Sequence, residues 1–338
     1  MNALITGSAG FIGYHLTKRL LNEGYNVVGL DNINDYYDVQ LKKNRLNDIS
    51  KEKYSKKNFK FFKIDLEDFN TLNSIFESFR PKIVINLAAQ AGVRNSIDNP
   101  FSYVNSNLVG FLNLLECCRQ NPVDHLVYAS SSSVYGGNIS IPFKEQDSVD
   151  HPVSLYAATK KSNELMAHCY SNLYAIPSTG LRFFTVYGPW GRPDMALFLF
   201  TKAIINKEPI NIFNNGEMLR DFTYIDDIIE SLSRIIRKPP KADNQINKNN
   251  INPANSWAPF KIFNIGNSNP TKLMKFISCL EDELKIKAIK NFLPMQPGDM
   301  KSTYADCLSL EEYINFKPKT SIEQGIKNFV NWYKKYYS

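Results

Sequence analysis

Short apolar runs alternate with amphipathic stretches along the first half of the chain. The apolar runs predict strands at 3–6, 25–30, 59–64, 83–87, 125–129 and 178–184. Between them, apolar residues recur at helical spacing, which predicts helices at 15–23, 40–48, 68–79, 100–119 and 154–173. Runs with few polar positions are typical of parallel strands that helices cover on both faces. The pattern therefore predicts an α/β fold built on a doubly wound parallel sheet.

The alternation weakens after position 184. The next segments predict, in order, a loop rich in turn and aromatic residues, a helix, a short strand, a helix and an Asn- and Pro-rich surface loop, at 186–193, 195–206, 210–213, 225–237 and 239–259. We predict a first domain of residues 1–184, to which 222–265 returns. Residues 185–221 and 266–338 are expected to form a smaller α/β cap domain over the carboxyl edge of the sheet.

Three glycines follow the first predicted strand at every third position. Without side chains they let the backbone approach a pyrophosphate, while the N-terminus of the following helix offers N–H donors and a positive dipole end. An ordinary tight turn is the alternative for three spaced glycines taken alone. The loop predicts that a cofactor contacts Gly7, Gly10, Phe11, Ile12 and Gly13.

A carboxylate, Asp31, ends the second predicted strand, where it can accept hydrogen bonds from a ribose diol. Because its charge repels a 2′-phosphate, the predicted cofactor is NAD and not NADP. The glycine loop and Asp31 together indicate that the first domain is a Rossmann-like, NAD-binding domain. Further contacts to NAD are expected at the ends of the strands, from Asn32, Asp65, Leu66, Ala88, Ala89 and Gln90. For Asp65, capping of the next helix is a second interpretation.

Candidate chemistry follows the fifth predicted strand. Four consecutive serines, 130–133, lie at the edge where doubly wound sheets bind their ligands. The next helix carries Tyr156 and Lys160 one turn apart on one face. A phenol with a pKa near ~10 is a poor base at neutral pH, but a neighbouring cation favours the phenolate. Tyr-x-x-x-Lys alone occurs on many helices; after the glycine loop, Asp31 and the serines, it predicts a proton-transfer site.

Composition and charge narrow the classes of protein. The chain has 338 residues, 43% of them hydrophobic, and a net charge of +7, which is ordinary for a globular protein. Much of the positive charge lies in 51–57 and 334–335, as on solvated faces, so no nucleic-acid partner is predicted. Five cysteines and four histidines show no metal-ligand spacing. We therefore predict no metal site and reduced thiols in the cytoplasm.

Membrane association is not predicted either. No apolar run reaches membrane-spanning length. The first predicted strand follows almost directly on the first residue, so we expect no room for a signal peptide.

Three further stretches are close to a known family: 29–38, 188–195 and 293–299. With the glycine loop and Tyr-x-x-x-Lys, they make the whole chain resemble the extended short-chain dehydrogenase/reductase family of nucleotide-sugar epimerases and dehydratases, and most closely the UDP-glucuronate 4-epimerases. The resemblance implies NAD-dependent epimerisation of UDP-glucuronate to UDP-galacturonate through a transient 4-keto sugar, in the supply of polysaccharide precursors. It also implies a homodimer formed by helices 100–119 and 154–173.

The resemblance also implies which residues are catalytic. Ser131 takes the place of the catalytic Ser or Thr, Tyr156 is the base, and Lys160 is its partner and holds the nicotinamide ribose. The 4,6-dehydratases carry an Asp-Glu pair directly after the catalytic Thr, which performs the acid–base work of elimination. This chain has Ser132 and Ser133 there, which predicts that it does not eliminate water.

The cap domain is implied to bind the UDP-sugar. The residues implied to contact it are Ser131, Ser132, Thr185, Arg192, Asn211, Phe213, Arg220 and Asp299. Arg220 is expected on the diphosphate, Asp299 near the uridine ribose, and Asn211 with Phe213 near the uracil.

Thr185 and Arg192 bear on the identity of the sugar. Galactose-type 4-epimerases carry Asn at the position of Thr185. Oxidised UDP-glucuronate is a β-keto acid, and a hydroxyl with a bidentate guanidinium would hold its carboxylate and prevent loss of carbon dioxide. For Arg192, bracing of its own loop is the alternative. The other functions left open are a UDP-glucuronate decarboxylase, a 4-epimerase of a neutral or N-acetylated UDP-hexose, and a non-catalytic NAD sensor.

Overall fold

The computed structural model describes residues 1–246, 249, 251–295 and 302–337. Its strands are β1 (Asn2–Thr6), β2 (Asn26–Asp31), β3 (Phe59–Lys63), β4 (Ile83–Asn86), β5 (His125–Ser131), β6 (Ser178–Phe183), β7 (Thr185–Tyr187), β8 (Pro209–Ile212), β9 (Leu219–Arg220), β10 (Phe222–Tyr224), β11 (Phe260–Ile265), β12 (Thr271–Lys272) and β13 (Ile289–Phe292). Its α-helices are α1 (Phe11–Asn22), α2 (Val39–Ser50), α3 (Ser55–Asn58), α4 (Phe69–Phe79), α5 (Asn95–Asp98), α6 (Pro100–Val104), α7 (Gly110–Gln120), α8 (Leu155–Tyr174), α9 (Ala196–Ile205), α10 (Ile225–Ile235), α11 (Leu273–Leu284), α12 (Leu308–Ile314) and α13 (Ile322–Tyr337).

A seven-stranded parallel sheet forms the centre, in the order β11-β6-β5-β4-β1-β2-β3. Central β1 pairs on both sides, with Ile5 opposite Gly29 of β2 and opposite Ile85 of β4. The middle strands are apolar and buried on both faces, as expected for a sheet that helices cover twice. The predicted doubly wound α/β fold is confirmed, and the six predicted strands are joined by a seventh, β11, which pairs with β6.

The strand order reverses between β1 and β4. The chain adds β2 and β3 on one side of β1, then crosses over and builds β4, β5 and β6 on the other. In such sheets ligands bind in the crevice at the carboxyl ends of the strands beside the reversal. The glycine loop after β1 and the small residues after β4 both lie at this crevice.

The helix predicted at 100–119 is interrupted. A five-residue π-turn, Asn105–Val109, joins α6 to α7. Within this turn, Asn107 hydrogen-bonds to two neighbouring segments. Its side chain bonds to the backbone of Gln90, and its backbone carbonyl accepts from the Asn163 side chain of α8 at 2.7 Å. Such turns often occur near functional sites. Periodicity predicts the helix but does not reveal the wider turn.

The segments beyond β6 form three small strand pairs: β7 with β10, β8 with β13, and β9 with β12. Helix α10 lies against α1 of the main sheet, and α11 packs against α13. One apolar cluster runs from the central strands into α9, α11 and α13. The division of the chain into two domains stays a prediction.

Candidate active site

A single cavity of about 1260 Å³ opens at the carboxyl edge of the sheet, beside the reversal of strand order. Every described residue that the sequence singled out lines this cavity: Gly7, Gly10, Phe11, Ile12, Gly13, Asp31, Asn32, Asp65, Leu66, Ala88, Ala89, Gln90, Ser131, Ser132, Tyr156, Lys160, Thr185, Arg192, Asn211, Phe213 and Arg220. Asp299 lies outside the described residues. The volume exceeds the roughly 300–1,000 Å³ of pockets for one small ligand, so there is room for two.

The glycine loop is packed too closely for side chains. Gly7 has a φ of +70°, and a Cβ there would lie 2.8 Å from the Ala88 nitrogen. A Cβ on Gly13 would lie 2.1 Å from the Gly7 carbonyl oxygen, and one on Gly10 would lie 2.9 Å from the same oxygen. Gly10 is also the N-cap of α1 and supplies no side-chain cap. The first N–H groups of α1 are thus presented to the cavity by a backbone that only glycine permits.

Asp31 holds the second strand end against this loop. One carboxylate oxygen accepts from the Ala9 N–H at 3.1 Å, and the other accepts from the Ile33 N–H at 2.8 Å. Burial raises the pKa of Asp31, while these two N–H donors and the Lys42 cation act in the opposite direction. The carboxylate therefore lies in the cavity, fixed by two backbone donors.

Asp65 does not cap the helix that follows it. The N-cap of α4 is Asp68, which accepts from the Thr71 N–H at 3.1 Å. Asp65 instead accepts from the Asn32 side chain at 3.0 Å and from the Glu67 N–H at 3.2 Å. The capping interpretation of Asp65 is wrong, because the helix begins one turn later than that interpretation requires.

The cavity is lined by the three residues that the family resemblance implies to be catalytic, Tyr156, Lys160 and Ser131. Ser154 caps the N-terminus of α8, accepting from the Ala157 N–H, and so fixes the turn that carries Tyr156. Ser131 is the last residue of β5 and lies near enough to the Tyr156 hydroxyl to lower the pKa of that phenol. Lys160 donates to the Ala129 carbonyl at 2.9 Å, which ties α8 to the end of β5.

Burial and nearby polar groups act in opposite directions on the phenol. Burial raises the pKa of Tyr156, while the Ser131 side chain and the positive charge of Arg192 lower it. Burial lowers the pKa of Lys160 to about 8. Arg192 comes from a different loop and is a second cation that favours the phenolate; the role of Lys160 as the partner of Tyr156 stays a prediction.

A buried network of hydrogen bonds and one ion pair connects the segments that carry Ser131 and Tyr156. Arg182 of β6 and Glu164 of α8 form a fully buried ion pair, with an Nε to Oε1 distance of 2.9 Å. Ser130, next to Ser131, donates to Glu164 at 2.6 Å. Arg182 also donates to the Tyr135 hydroxyl, which donates to Asn264 of β11 at 2.6 Å. The network joins the strand end that carries Ser131 to the helix that carries Tyr156.

Arg192 lines the same cavity as Tyr156, from the loop that follows β7. Its Nε donates to Asp194 Oδ1 at 3.0 Å and its Nη2 donates to Oδ2 at 2.5 Å. The Tyr36 hydroxyl donates to the same Asp194 at 3.3 Å, and the guanidinium lies over the Tyr36 ring. Burial acts to lower the pKa of Arg192, but Asp194 outweighs burial and raises it. The guanidinium is therefore fixed side-on by a carboxylate of its own loop while it faces the cavity.

The far end of the cavity is lined by the small strands of the cap. Asn211 and Phe213 both line it, and the Arg94 guanidinium lies over the Phe213 ring, 5.1 Å from the ring centroid. Arg220 of β9 donates to the Leu219 carbonyl at 2.9 Å. An aromatic ring under one guanidinium, in a cavity that an amide and a second guanidinium also line, suits a base and a diphosphate.

Several lining residues had not been singled out. Among them are four with polar or charged side chains, Tyr36, Lys42, Arg94 and Asp194. Three of them lie in or next to stretches that carry the family resemblance or follow a strand end, which is the signal that could have found them. Lys42 has no such signal, since it lies on amphipathic α2 and enters the cavity only through the tertiary fold.

Two negative findings concern the described residues alone. In that part of the chain, no cluster of three or more His, Cys, Asp or Glu side chains has a geometry that could hold a metal ion. None of the helices placed there combines the length and the apolarity that a membrane crossing requires.

A Tyr–Lys pair that shares one cavity with a glycine-rich dinucleotide loop is the arrangement of the short-chain dehydrogenases/reductases, and this is the class that the fold and the site define. Within that class, comparison with family models is specific. The chain belongs to the GDP-mannose 4,6-dehydratase family, whose model matches residues 4–329.

Individual relatives extend over the whole chain. It is 55% identical to protein CapI of Staphylococcus aureus over 337 residues, covering 100% of this chain and 99% of that protein. It is 49% identical to a probable UDP-glucuronate 4-epimerase of Rhizobium meliloti (strain 1021), covering 100% and 98%. A crystal structure of UDP-glucuronic acid 4-epimerase from Bacillus cereus, in complex with UDP-glucuronic acid and NAD, superposes with a TM-score of 0.85 at 33% identity, covering 100% of both chains.

Proposed function

We propose that this protein is an NAD-dependent 4-epimerase that interconverts UDP-glucuronate and UDP-galacturonate. The observation that carries the proposal is the position of Arg192, which lines the same cavity as Tyr156 and lowers the pKa of that phenol. A proton acceptor and a cation suited to a carboxylate thus face one space. The probable UDP-glucuronate 4-epimerase of Rhizobium meliloti supports the same substrate, and the superposed structure supports the same substrate and cofactor.

The residues present fit NAD. A Cβ at any of the three loop glycines would collide with the backbone of this loop or of Ala88, so only glycine permits the tight turn that exposes the start of α1, whose N–H donors suit a pyrophosphate. Asp31 would bind the adenosine ribose and exclude a 2′-phosphate, and Lys160 would hold the nicotinamide ribose. Bound NAD supplies a reversible hydride acceptor, so that C4 of the sugar can be oxidised and reduced in one turnover.

The side chains of this protein would then transfer the proton of the C4 hydroxyl and bind the carboxylate of the sugar. Tyr156 removes the proton of the C4 hydroxyl, helped by Ser131, and returns it when the keto sugar is reduced on its opposite face. Arg220 holds the diphosphate about which the sugar turns, and Phe213 packs on the uracil. Arg192 and Thr185 hold the carboxylate, which keeps the β-keto acid from losing carbon dioxide.

The description of the family names a dehydratase, but the residues here do not suit elimination. Elimination of water needs an acid and a base beside the sugar. The positions after Ser131 are Ser132 and Ser133, which begin a short 3-10 turn, and Ser133 donates its N–H to Ser131. Hydroxyls have too high a pKa for that work, so we favour epimerisation within this family.

The product formed from UDP-glucuronate tests the proposal. NAD-loaded protein is expected to convert UDP-glucuronate to UDP-galacturonate, and to run the reverse reaction, without net formation of NADH. Separation of the sugar nucleotides by ion-exchange chromatography measures this. UDP-xylose as product would instead establish a decarboxylase, faster turnover of UDP-glucose or UDP-N-acetylglucosamine would establish a neutral substrate, and binding without any product would establish a sensor.

We further propose a homodimer in the cytoplasm, formed by α6, α7 and α8. Apolar side chains on these neighbouring helices are exposed, among them Phe101 at 81%, Leu112 at 41% and Leu165 at 59%. A second copy related by a two-fold axis would cover such a surface with the same surface. On α7, Leu112 belongs to this exposed surface, whereas Leu115 is buried in the core.

A charge introduced into that apolar surface tests the dimer. We expect sedimentation of the wild type as a dimer at micromolar concentration, and of Leu165→Glu as a monomer, because a carboxylate would be buried without a partner at the interface. Leu308→Glu is the control, since Leu308 is equally exposed, at 58%, on α12. Monomeric wild type, or equal effects of the two variants, would contradict the interface.

A further inference from the structure

Arg45 lies on α2, in the polar segment between β2 and β3, and its side chain is completely buried. Its Nη1 donates to the Ala9 carbonyl of the glycine loop at 2.9 Å and to the Tyr37 hydroxyl at 2.7 Å. Its Nη2 donates to the carbonyls of Trp190 and Gly191 at 2.6 and 3.0 Å. No ion pair joins Arg45 to a carboxylate within the described residues. A buried guanidinium held by carbonyls and a phenol is costly, so its bonds need an explanation.

The loop that Arg45 reaches, residues 188–195, is the loop that carries Arg192. Trp190 has a φ of +61°, a strained conformation for a bulky residue that persists only where its surroundings impose it. A second contact comes from α1, where His15 Nε2 lies 2.9 Å from the Pro189 carbonyl. Burial lowers the pKa of His15 to about 4, so its ring is neutral at neutral pH and donates from Nε2. Two helices of the dinucleotide half therefore shape the sugar-facing loop.

A continuous series of contacts runs through Arg45. Asp31 accepts from the Ala9 N–H at 3.1 Å, and the carbonyl of the same Ala9 accepts from Arg45. On its other side, Arg45 holds Trp190 and Gly191, and the next residue is Arg192. Nη1 and Nη2 of one planar guanidinium thus fix the spacing between the loop for the cofactor and the loop for the sugar.

We propose that Arg45 is a positioning residue that couples the two halves of the site, so that the setting of the glycine loop and the placement of Arg192 depend on each other. The inference rests on the proposed function and extends it. The proposal assigns a function to the polar segment between β2 and β3, because that segment supplies both Arg45 and Tyr37, whose hydroxyl accepts a hydrogen bond from the Arg45 guanidinium. Discrimination in favour of a uronate then depends on a residue that touches neither ligand.

Binding by the NAD-loaded protein tests the placement of Arg192. The ratio of the dissociation constant for UDP to that for UDP-glucuronate, measured by calorimetry, isolates recognition of the sugar. Arg45→Met is expected to lower this ratio by about 3- to 30-fold, the range in which residues remote from both ligands alter coupling. Arg45→Lys is expected to lower it as well, because an ammonium keeps the charge but lacks the planar fork.

Ile49→Ala is the matched control for lost stability. Ile49 is buried one turn further along α2 and packs in the apolar core. This variant should lower the melting temperature and leave the binding ratio unchanged. If Arg45→Met behaves in the same way, Arg45 is only a structural residue and the proposal is wrong.

A second measurement does not depend on the identity of the sugar. Gly191→Ala alters the sugar-facing loop, because its Cβ would lie 2.9 Å from the Gly188 carbonyl oxygen. It is expected to speed the release of NAD from the wild-type protein severalfold and to have no such effect in Arg45→Met. Equal effects in both backgrounds would overturn the coupling even if UDP-glucuronate proved not to be the substrate; failure of the wild type to prefer UDP-glucuronate over UDP would count against the proposed function alone.

Discussion

Tyr156→Phe is expected to slow epimerisation by about 100- to 10,000-fold, the usual contribution of a positioned acid–base group. The variant loses only the oxygen that exchanges a proton with the sugar, while the ring continues to pack edge-on against Tyr103. Retention of NAD and affinity for UDP should therefore stay close to those of the wild type. Steady-state conversion of UDP-glucuronate, together with calorimetric binding of UDP, measures the two effects separately.

Tyr170→Phe is the control for this variant. Tyr170 lies on the same helix, α8, and its hydroxyl donates to Glu116 at 2.6 Å outside the cavity. The same substitution there should leave turnover almost unchanged. If Tyr156→Phe keeps more than a few per cent of the wild-type rate, or if both variants lose similar amounts, another group removes the proton.

Arg192→His is expected to reduce kcat/KM for UDP-glucuronate by about tenfold to a thousandfold relative to a neutral UDP-sugar, since a lost charge-assisted, bidentate contact costs a few kcal/mol. A carboxylate that is no longer held should also let part of the 4-keto sugar lose carbon dioxide. The enzyme would then retain its cofactor as NADH. The measurable signs are a slow rise in absorbance at the NADH band and release of carbon dioxide, both absent in the wild type.

Asp194→Asn separates a contact with substrate from support of the loop. It weakens the ion pair that fixes Arg192 within its loop but keeps the guanidinium. If Arg192 holds the carboxylate, this variant should keep a preference for UDP-glucuronate that Arg192→His loses. If Arg192 only braces the loop, both variants will lose activity on acidic and neutral sugars alike, with no decarboxylated product.

Local patterns were sufficient to predict the sheet and the glycine loop. Parallel strands covered on both faces leave an apolar run that is visible in one dimension, and closely packed backbone at Gly7 and Gly13 permits no other residue type. The same holds for Tyr156 and Lys160, because a spacing of four residues places both on one face of any helix. These predictions depend only on neighbours in the chain.

Features that depend on distant neighbours were not predictable. The hydrogen bond from Tyr36 to Asp194 and the bonds from Arg45 to two loops arise where segments meet in three dimensions. In the sequence, Arg45 lies on a polar helix, where a charged residue is typical of an exposed face. The π-turn at Asn105–Val109 is likewise set by contacts with Gln90 and α8. Sequence periodicity carries no trace of such contacts.

The buried network around Arg182 also constrains how the protein can be made. Tyr135 and Asn264, which hydrogen-bond within it, are 129 positions apart. At about 5–20 residues per second, a ribosome needs on the order of ten seconds to add the second partner after the first. From the completion of β6 at residue 183 until residue 260 is added, the nascent chain has β5, α8 and β6 but no β11 to cover β6. The active centre can therefore close only late in synthesis, and chains that terminate before residue 264 should be recognised by chaperones and proteases as unfinished.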